Sequence, residues 1–141
     1  MELAQALEIA KNNTQSVLIA HRQDGRSQPS NIVHTVGDDG VIRASITETR
    51  AKTKNLRRDA RCELYIVGEN HWRYVVLDCD CELSPVTTDP NDATADELVA
   101  YYRALRGEHD NWDEYRNAMV NDRRLVARLH PNRAFGMWAD S

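Results

Sequence analysis

Apolar and polar residues alternate along much of this chain with the period of two that is typical of β-strands. The clearest case lies in residues 41–47, where Ile42, Ala44 and Ile46 alternate with polar positions. Alternation or short apolar runs predict further strands over residues 16–20, 28–36, 62–67, 72–84, 124–130 and 133–138. Turns that contain Asp-Gly at 23–26 and 37–40 join the early segments, so we expect consecutive strands to pair as antiparallel hairpins.

Helical spacing interrupts this alternation at several places. Apolar residues three and four apart predict a short amphipathic helix over residues 1–10 and a helix pair over residues 98–120, of which the first ends at Gly107. The polar residues 50–61 predict a short helix or turn. Because a hairpin-rich, twisted sheet tends to close, we expect an α+β fold in which a β-barrel with a helical insertion forms one domain over residues 1–141.

Composition and charge exclude several classes of function. The chain has 141 residues, of which 41% are hydrophobic and 28% charged, as expected of a globular protein. No stretch approaches the roughly 20 apolar residues that span a bilayer, and the first residues lack a signal-peptide core, so we expect a cytoplasmic protein with no membrane partner. The net charge of −4 repels phosphate at long range, so we expect no nucleic-acid partner.

The candidate metal and nucleotide motifs are weak. Cys62, Cys79 and Cys81 are an odd number of cysteines within predicted strands, which argues against a disulfide framework. No further ligands stand at zinc-site spacing, so we expect core cysteines and no metal. Neither a G-x-G-x-x-G motif nor a P-loop is present.

The most informative feature is a basic segment at the end of a predicted strand. Residues 50–61 carry a net charge of +5, so the other residues together carry −9. Arg50, Lys52 and Lys54 stand at the predicted start of a helix, where cations are unfavourable unless an anion compensates them. Free backbone N–H groups at a helix start also attract anions. The segment therefore indicates either a pocket for a phosphate or polycarboxylate or a solvated basic turn, and charge alone does not separate the two.

A family resemblance favours the first of these alternatives. The string SITETRAKTKNLRRD at residues 45–59 resembles the deazaflavin-dependent branch of the pyridoxamine-phosphate-oxidase-like, FMN-binding split β-barrel proteins. SQPSNIV at 27–33, HWRYVV at 71–76 and the helix pair at 101–125 resemble the same family in the same order. The resemblance implies a six-stranded antiparallel split β-barrel with a helical insertion, which forms a homodimer with two cofactor sites at the subunit interface.

The resemblance also implies a function and a set of site residues. It implies an oxidoreductase that transfers a hydride between reduced coenzyme F420, which bears a phosphate and a polyglutamate tail, and a small organic substrate. The resemblance implies that Gln28 and Asn31 lie beside the ring and that Trp72 and Tyr74 come from the other subunit. The residues implied to engage the phosphate and its neighbouring groups are Arg50, Lys52, Lys54 and Asn55. The implied cofactor-binding residues are Gln28, Asn31, Ser45, Arg50, Ala51, Lys52, Lys54, Asn55, Trp72 and Tyr74.

Several alternatives stay open at the level of sequence. FMN also bears a phosphate, so an FMN-binding flavoprotein of the wider family fits the same basic segment, as does a non-catalytic F420-binding or carrier protein. Trp72 and Tyr74 are alternatively interface packing, and Asn31 is alternatively a strand-edge residue. The sequence identifies no catalytic residue, because the cofactor carries the hydride chemistry. A proton donor would be a bound water or a tyrosine.

Overall fold

The protein contains one antiparallel sheet and four helices. The computed structural model describes residues 1–138, and over that range the helices are α1 (Leu3–Asn12), α2 (Ala51–Arg58), α3 (Ala93–Arg106) and α4 (Trp112–Asn121). The strands are β1 (Gln15–His21), β2 (Ser27–Val33), β3 (Thr35–Val36), β4 (Ile42–Thr47), β5 (Arg61–Val67), β6 (Tyr74–Leu83) and β7 (Arg124–Met137). The predicted α+β class, with a helix pair inserted before the last strand, is confirmed.

The sheet curls because its two edge strands are joined by a very short connection. The order is β2-β1-β5-β6-β7-β4-β3, so β2 and β3 lie at opposite edges. Only His34 separates these two strands along the chain, and consecutive Cα atoms are about 3.8 Å apart. The two edges must therefore lie close together. β2 also contacts β4 without pairing with it, so the sheet forms a half-barrel with an open seam between β2 and β4.

The structure has seven strands, so the expectation of six is wrong. The predicted strand at 28–36 divides at His34, whose ring is completely buried. Its Nε2 donates to the Ala10 carbonyl oxygen at 2.8 Å, and its Nδ1 accepts from the Ser16 hydroxyl at 2.7 Å. Burial lowers the pKa of His34, in keeping with this neutral form. The ring thereby fixes α1 and β1 at the point where the chain crosses the seam.

The predicted strands at 124–130 and 133–138 are instead one continuous strand, β7. Pro131, which lacks the N–H of a ladder hydrogen bond, suggested a break there. A bulge at Asn132 allows the pairing with β6 to continue on both sides of the proline. The pairing of β7 with β4 ends at Leu129, so at Pro131 the strand is paired on one side only. Prolines are tolerated at such positions.

The core fills the inside of the curled sheet, against which α1 packs. It includes Leu18, Ile46, Leu64 and Leu77, which are almost fully buried. The cysteines belong to the same region, because Cys62 and Cys79 are buried and Cys81 packs against the core. Burial raises the pKa of Cys79 and of Cys81 to about 12, so both are neutral thiols near pH 7.

The helix pair is attached to the sheet by one carboxylate. Glu97 of α3 accepts from Arg43 Nε of β4 at 3.0 Å and from Arg128 Nε of β7 at 2.9 Å. A small apolar cluster that includes Leu98 and Tyr115 adds to this attachment. The next turn of α3 brings Tyr101 to the seam, where its hydroxyl donates to the Val33 carbonyl oxygen at 2.6 Å.

Candidate functional site

A cavity of about 650 Å³ lies at the open seam of the half-barrel, and we call it the seam cavity. Residues 28–33 of β2 form one wall, and residues 45–47 of β4 with the first residues of α2 form the other. The helix pair α3–α4 contributes side chains to the cavity, and the first residue of β7 completes its lining. The cavity thus exists because the sheet curls without closing by hydrogen bonds.

Cations line the seam cavity where α2 begins. Arg50 is the N-cap residue of α2, in extended conformation, and no side chain caps the helix. The Arg50 side chain is exposed at the rim, whereas Lys52 is half-buried. Burial lowers the pKa of Lys52, and the nearby charges of Arg50 and Arg124 lower it further. Within residues 1–138 no aspartate or glutamate lines this cavity, so its walls do not neutralise the three cations.

Aromatic side chains from the helix pair line another part of the cavity. The hydrogen bond from the Tyr101 hydroxyl to the Val33 carbonyl oxygen fixes this ring against β2 at the seam. The Tyr115 hydroxyl donates to the Leu98 carbonyl oxygen at 2.9 Å, and burial raises the pKa of Tyr115 to about 12. The Tyr102 ring packs against Tyr115, with 5.0 Å between the ring centroids. The wall is therefore rigid and largely apolar.

Six of the ten sequence-predicted site residues line the seam cavity. They are Gln28, Asn31, Ser45, Arg50, Ala51 and Lys52. A seventh, Asn55, lies behind Gln28 and donates from Nδ2 to its Oε1 at 3.3 Å. Residues of β2, of β4 and of α2 thus meet at one place, although they lie up to 27 positions apart along the sequence.

The other three predicted residues lie elsewhere in this chain. Lys54 is exposed on α2 and does not line the cavity. Trp72 is 74% exposed in the turn before β6. Tyr74 stacks on Tyr65, with 6.1 Å between the ring centroids. Tyr65 lines a second cavity of about 520 Å³, which shares residues 31–33 with the seam cavity.

The sequence did not indicate several residues of the seam cavity. Ser30 alternates with Gln28 on β2, and that period of two could have identified it. Arg124 gives no such signal, because it reaches the cavity through the pairing of β7 with β4, where it lies opposite Thr47. The tyrosines of α3 and α4 look in the sequence like part of an apolar helix stripe.

Among residues 1–138, no three or more His, Cys, Asp and Glu side chains cluster in a way that could hold a metal ion. None of the helices over the same range is long and apolar enough to cross a membrane.

Comparisons with known proteins agree with this architecture. No family model matches the chain. Solved structures share its fold, including an F420 reductase at 18% identity and a TM-score of 0.66, with 91% of this chain and 94% of that chain covered. A candidate pyridoxamine 5′-phosphate oxidase from Listeria innocua is 12% identical, with a TM-score of 0.67 and coverage of 97% and 98%. A FAD-binding protein from Mesorhizobium loti is 13% identical, with a TM-score of 0.67 and coverage of 95% and 90%.

This chain thus shares its fold with an F420 reductase and with a candidate pyridoxamine 5′-phosphate oxidase, the two kinds of protein to which the sequence resemblance pointed. Identities of 12–18% establish the shared fold alone. The choice of ligand for this chain therefore depends on the residues of its own cavity.

Proposed function

We propose that this chain is an oxidoreductase that binds the deazaflavin coenzyme F420 in the seam cavity and transfers a hydride to or from a small organic substrate. The observation that carries this proposal is the presence of Arg50 and Lys52 at an uncapped helix start, in a cavity that no aspartate or glutamate of the described residues 1–138 lines. A phosphate at that position would neutralise the cations and accept hydrogen bonds from the free N–H groups of α2. An F420 reductase shares this fold, so the fold accommodates such a cofactor, and the choice among flavin-type ligands depends on the cavity residues.

The residues of the cavity fit such a cofactor. The volume of about 650 Å³ lies within the range of ligand and cofactor sites, roughly 300–1,000 Å³. When bound, the deazaflavin supplies the hydride-transfer chemistry of its ring. Arg50 and Lys52 hold the phosphate, and the Gln28 amide, itself fixed by Asn55, is available to orient a polar group. The rigid tyrosine wall keeps water away from the bound ligand.

The charge of the cavity favours F420 over FMN. FMN bears one phosphate, whereas F420 bears a phosphate and the carboxylates of its tail. Three cations line the cavity, and over the described part of the chain no carboxylate does, which leaves more positive charge than a single phosphate group needs. This balance supports F420 as the cofactor and leaves FMN as the ligand to compare with it.

The test is a titration of the purified protein with F420 and with FMN, followed by the fluorescence of the ring. We expect tighter binding of F420. Arg50→Ala and Lys52→Ala should each weaken F420 binding by about 1–3 kcal/mol, the scale of a hydrogen bond to a charged group. Lys54→Ala is the matched control, because it removes the same charge from an exposed position on the same helix.

Two results would contradict the proposal. One is an F420 affinity that neither Arg50→Ala nor Lys52→Ala changes, and the other is a wild-type protein that binds FMN more tightly. Turnover then separates an enzyme from a carrier: the enzyme oxidises reduced F420 in the presence of an organic acceptor, and a carrier does not.

We also propose that the chain acts as a homodimer that covers the outer face of the sheet. Apolar side chains are exposed on this face or beside it, including Trp72, Val67, Phe135 and Met137, the last of which is 60% exposed. Together with the second cavity, they form a surface that a second copy would bury. In such a dimer Trp72 and Tyr74 belong to the contact between subunits.

Light scattering at micromolar concentration tests the dimer. We expect twice the mass of the chain for the wild type and for Gln23→Lys, which adds a charge at the exposed β1–β2 turn. Val67→Lys should give a folded monomer, because it places a charge in the apolar outer face. A stable wild-type monomer would contradict the dimer. It would not bear on the cofactor proposal, which the titration tests separately.

A further inference from the structure

Two buried polar atoms of the seam cavity have no partner in the fold. Over residues 1–138, Ser30 Oγ and Arg124 Nε are the side-chain nitrogen and oxygen atoms that are buried without a hydrogen bond. Both residues line the seam cavity, Ser30 from β2 and Arg124 from the start of β7. Buried polar atoms are nearly always satisfied, so the location of both exceptions in one cavity indicates that a ligand satisfies them.

The charge of Arg124 is also poorly compensated. Its nearest paired carboxylate is Asp122, whose Oδ2 lies 3.8 Å from Arg124 Nε, which is too long for a hydrogen bond. The positive charge of Arg124 also lowers the pKa of Lys52, so the two cations repel each other. Arg124 thus has a carboxylate at ion-pair distance, but its Nε has no hydrogen-bond acceptor.

We propose that Arg124 binds a second anionic group of the ligand in the seam cavity and that the Ser30 hydroxyl hydrogen bonds to the same ligand. The proposal rests on the proposed function of this cavity and extends it, because the α2 start already accounts for one phosphate. A planar guanidinium suits a carboxylate or a phosphate. The second group belongs either to the cofactor or to the substrate, and both sources share the chemistry of an anionic oxygen group.

The experiment compares Arg124→Gln and Ser30→Ala with Arg123→Gln as the matched control. Arg123 is the exposed neighbour, so its substitution removes the same charge without touching the cavity. F420, FMN and inorganic phosphate are the probes: the first two are titrated by ring fluorescence. Phosphate is measured through the rise in thermal midpoint relative to chloride at equal ionic strength.

Two patterns support the proposal and identify the source of the anionic group. If Arg124→Gln raises the Kd of F420 at least tenfold and that of FMN less than threefold, the group belongs to the tail-bearing cofactor. If both values change less than threefold while Arg124→Gln lowers the stabilisation by phosphate, the group belongs to the substrate. In either case Ser30→Ala should weaken the binding of the affected probe about threefold or more, and Arg123→Gln should change every value less than twofold.

The proposal is overturned if Arg124→Gln and Ser30→Ala behave like Arg123→Gln with every probe, or if phosphate, F420 and FMN all fail to bind the wild type. It is also overturned if Arg124→Gln weakens F420 and FMN equally, because Arg124 would then act on the phosphate that both share. A wild type that binds phosphate through Arg124 and binds neither F420 nor FMN retains this anion site and refutes the proposed cofactor.

Discussion

Two groups of cations in this molecule differ in the carboxylate partners that surround them. On one side of α3, Arg43 and Arg128 both donate to Glu97. At the seam cavity, the charge of Arg124 lowers the pKa of Lys52, and no carboxylate of residues 1–138 lines the cavity. The side chains are of the same kinds and both groups are partly buried, so the difference lies in the partners that the fold supplies.

The pKa shifts of the two groups run in opposite directions. Hydrogen bonds from Arg128 and Arg43 lower the pKa of Glu97, and the carboxylates around them raise the pKa of both arginines. At the seam cavity, burial and neighbouring cations lower the pKa of Lys52. The fold therefore stabilises charge in the first group and penalises it in the second. A penalty of this kind is expected where a ligand supplies the missing counter-charge.

The largest effect on this comparison should come from Glu97→Gln. The substitution removes the carboxylate that Arg43 and Arg128 share, and their side chains are only 25% and 26% exposed. Each arginine keeps one more exposed partner, Asp39 for Arg43 and Glu82 for Arg128. We expect the free energy of unfolding, measured by urea denaturation, to fall by about 1–3 kcal/mol. Glu8→Gln is the control, because Glu8 is exposed on α1 and its loss should change stability by less than about 0.5 kcal/mol.

The effect of Glu97→Gln can also be tested by measuring how the free energy of unfolding depends on pH. Because the pKa of Glu97 in the folded state is lowered from 4.5, its ionised form adds stability above that pH, and this contribution is lost as the pH falls through the folded pKa. The difference between wild type and Glu97→Gln should therefore shrink below about pH 4.5. Buried His34 titrates in both proteins and cancels from the difference. A difference that is constant with pH would show that the Glu97 charge does not stabilise the fold.

The sequence predicted local elements better than it predicted how they meet. Alternation located the strands because one face of each lies in the core. It missed the break at His34, because that residue's ring bonds with Ala10 and Ser16, which are 24 and 18 positions away. It also divided β7 at Pro131, because a bulge that accommodates a proline depends on the partner strand.

The candidate site shows the same limit. Gln28, Ser45 and Lys52 were predicted from a motif and lie in one cavity. The sequence did not show which cations have carboxylate partners in the fold and which do not. Arg43 pairs with Asp39, four positions away, but its more buried partner, Glu97, is 54 positions away on α3. Arg124 and Lys54 are equally basic in the sequence. Pairing between distant strands brings Arg124 into the cavity, while the turn of α2 directs Lys54 to solvent.

The smallest and most discriminating effect should come from Lys52→Gln. Because burial and like charges disfavour the Lys52 ammonium, its removal should leave the free energy of unfolding unchanged or raise it by at most about 0.5 kcal/mol, a value kept small by solvent screening. Lys54→Gln, on the same helix but exposed, provides the reference in the same denaturation experiment.

The change in the free energy of unfolding caused by Lys52→Gln should also depend on pH. A folded pKa below the usual 10.5 means that the folded state releases this proton first, so wild-type stability rises as the pH passes through the folded pKa toward 10.5. Any advantage of Lys52→Gln should therefore be present near pH 7 and disappear at alkaline pH. A loss comparable to that of Glu97→Gln would place Lys52 among the neutralised cations of the fold. A neutral or stabilising result combined with weaker F420 binding would instead mean that the Lys52 charge is retained for a ligand.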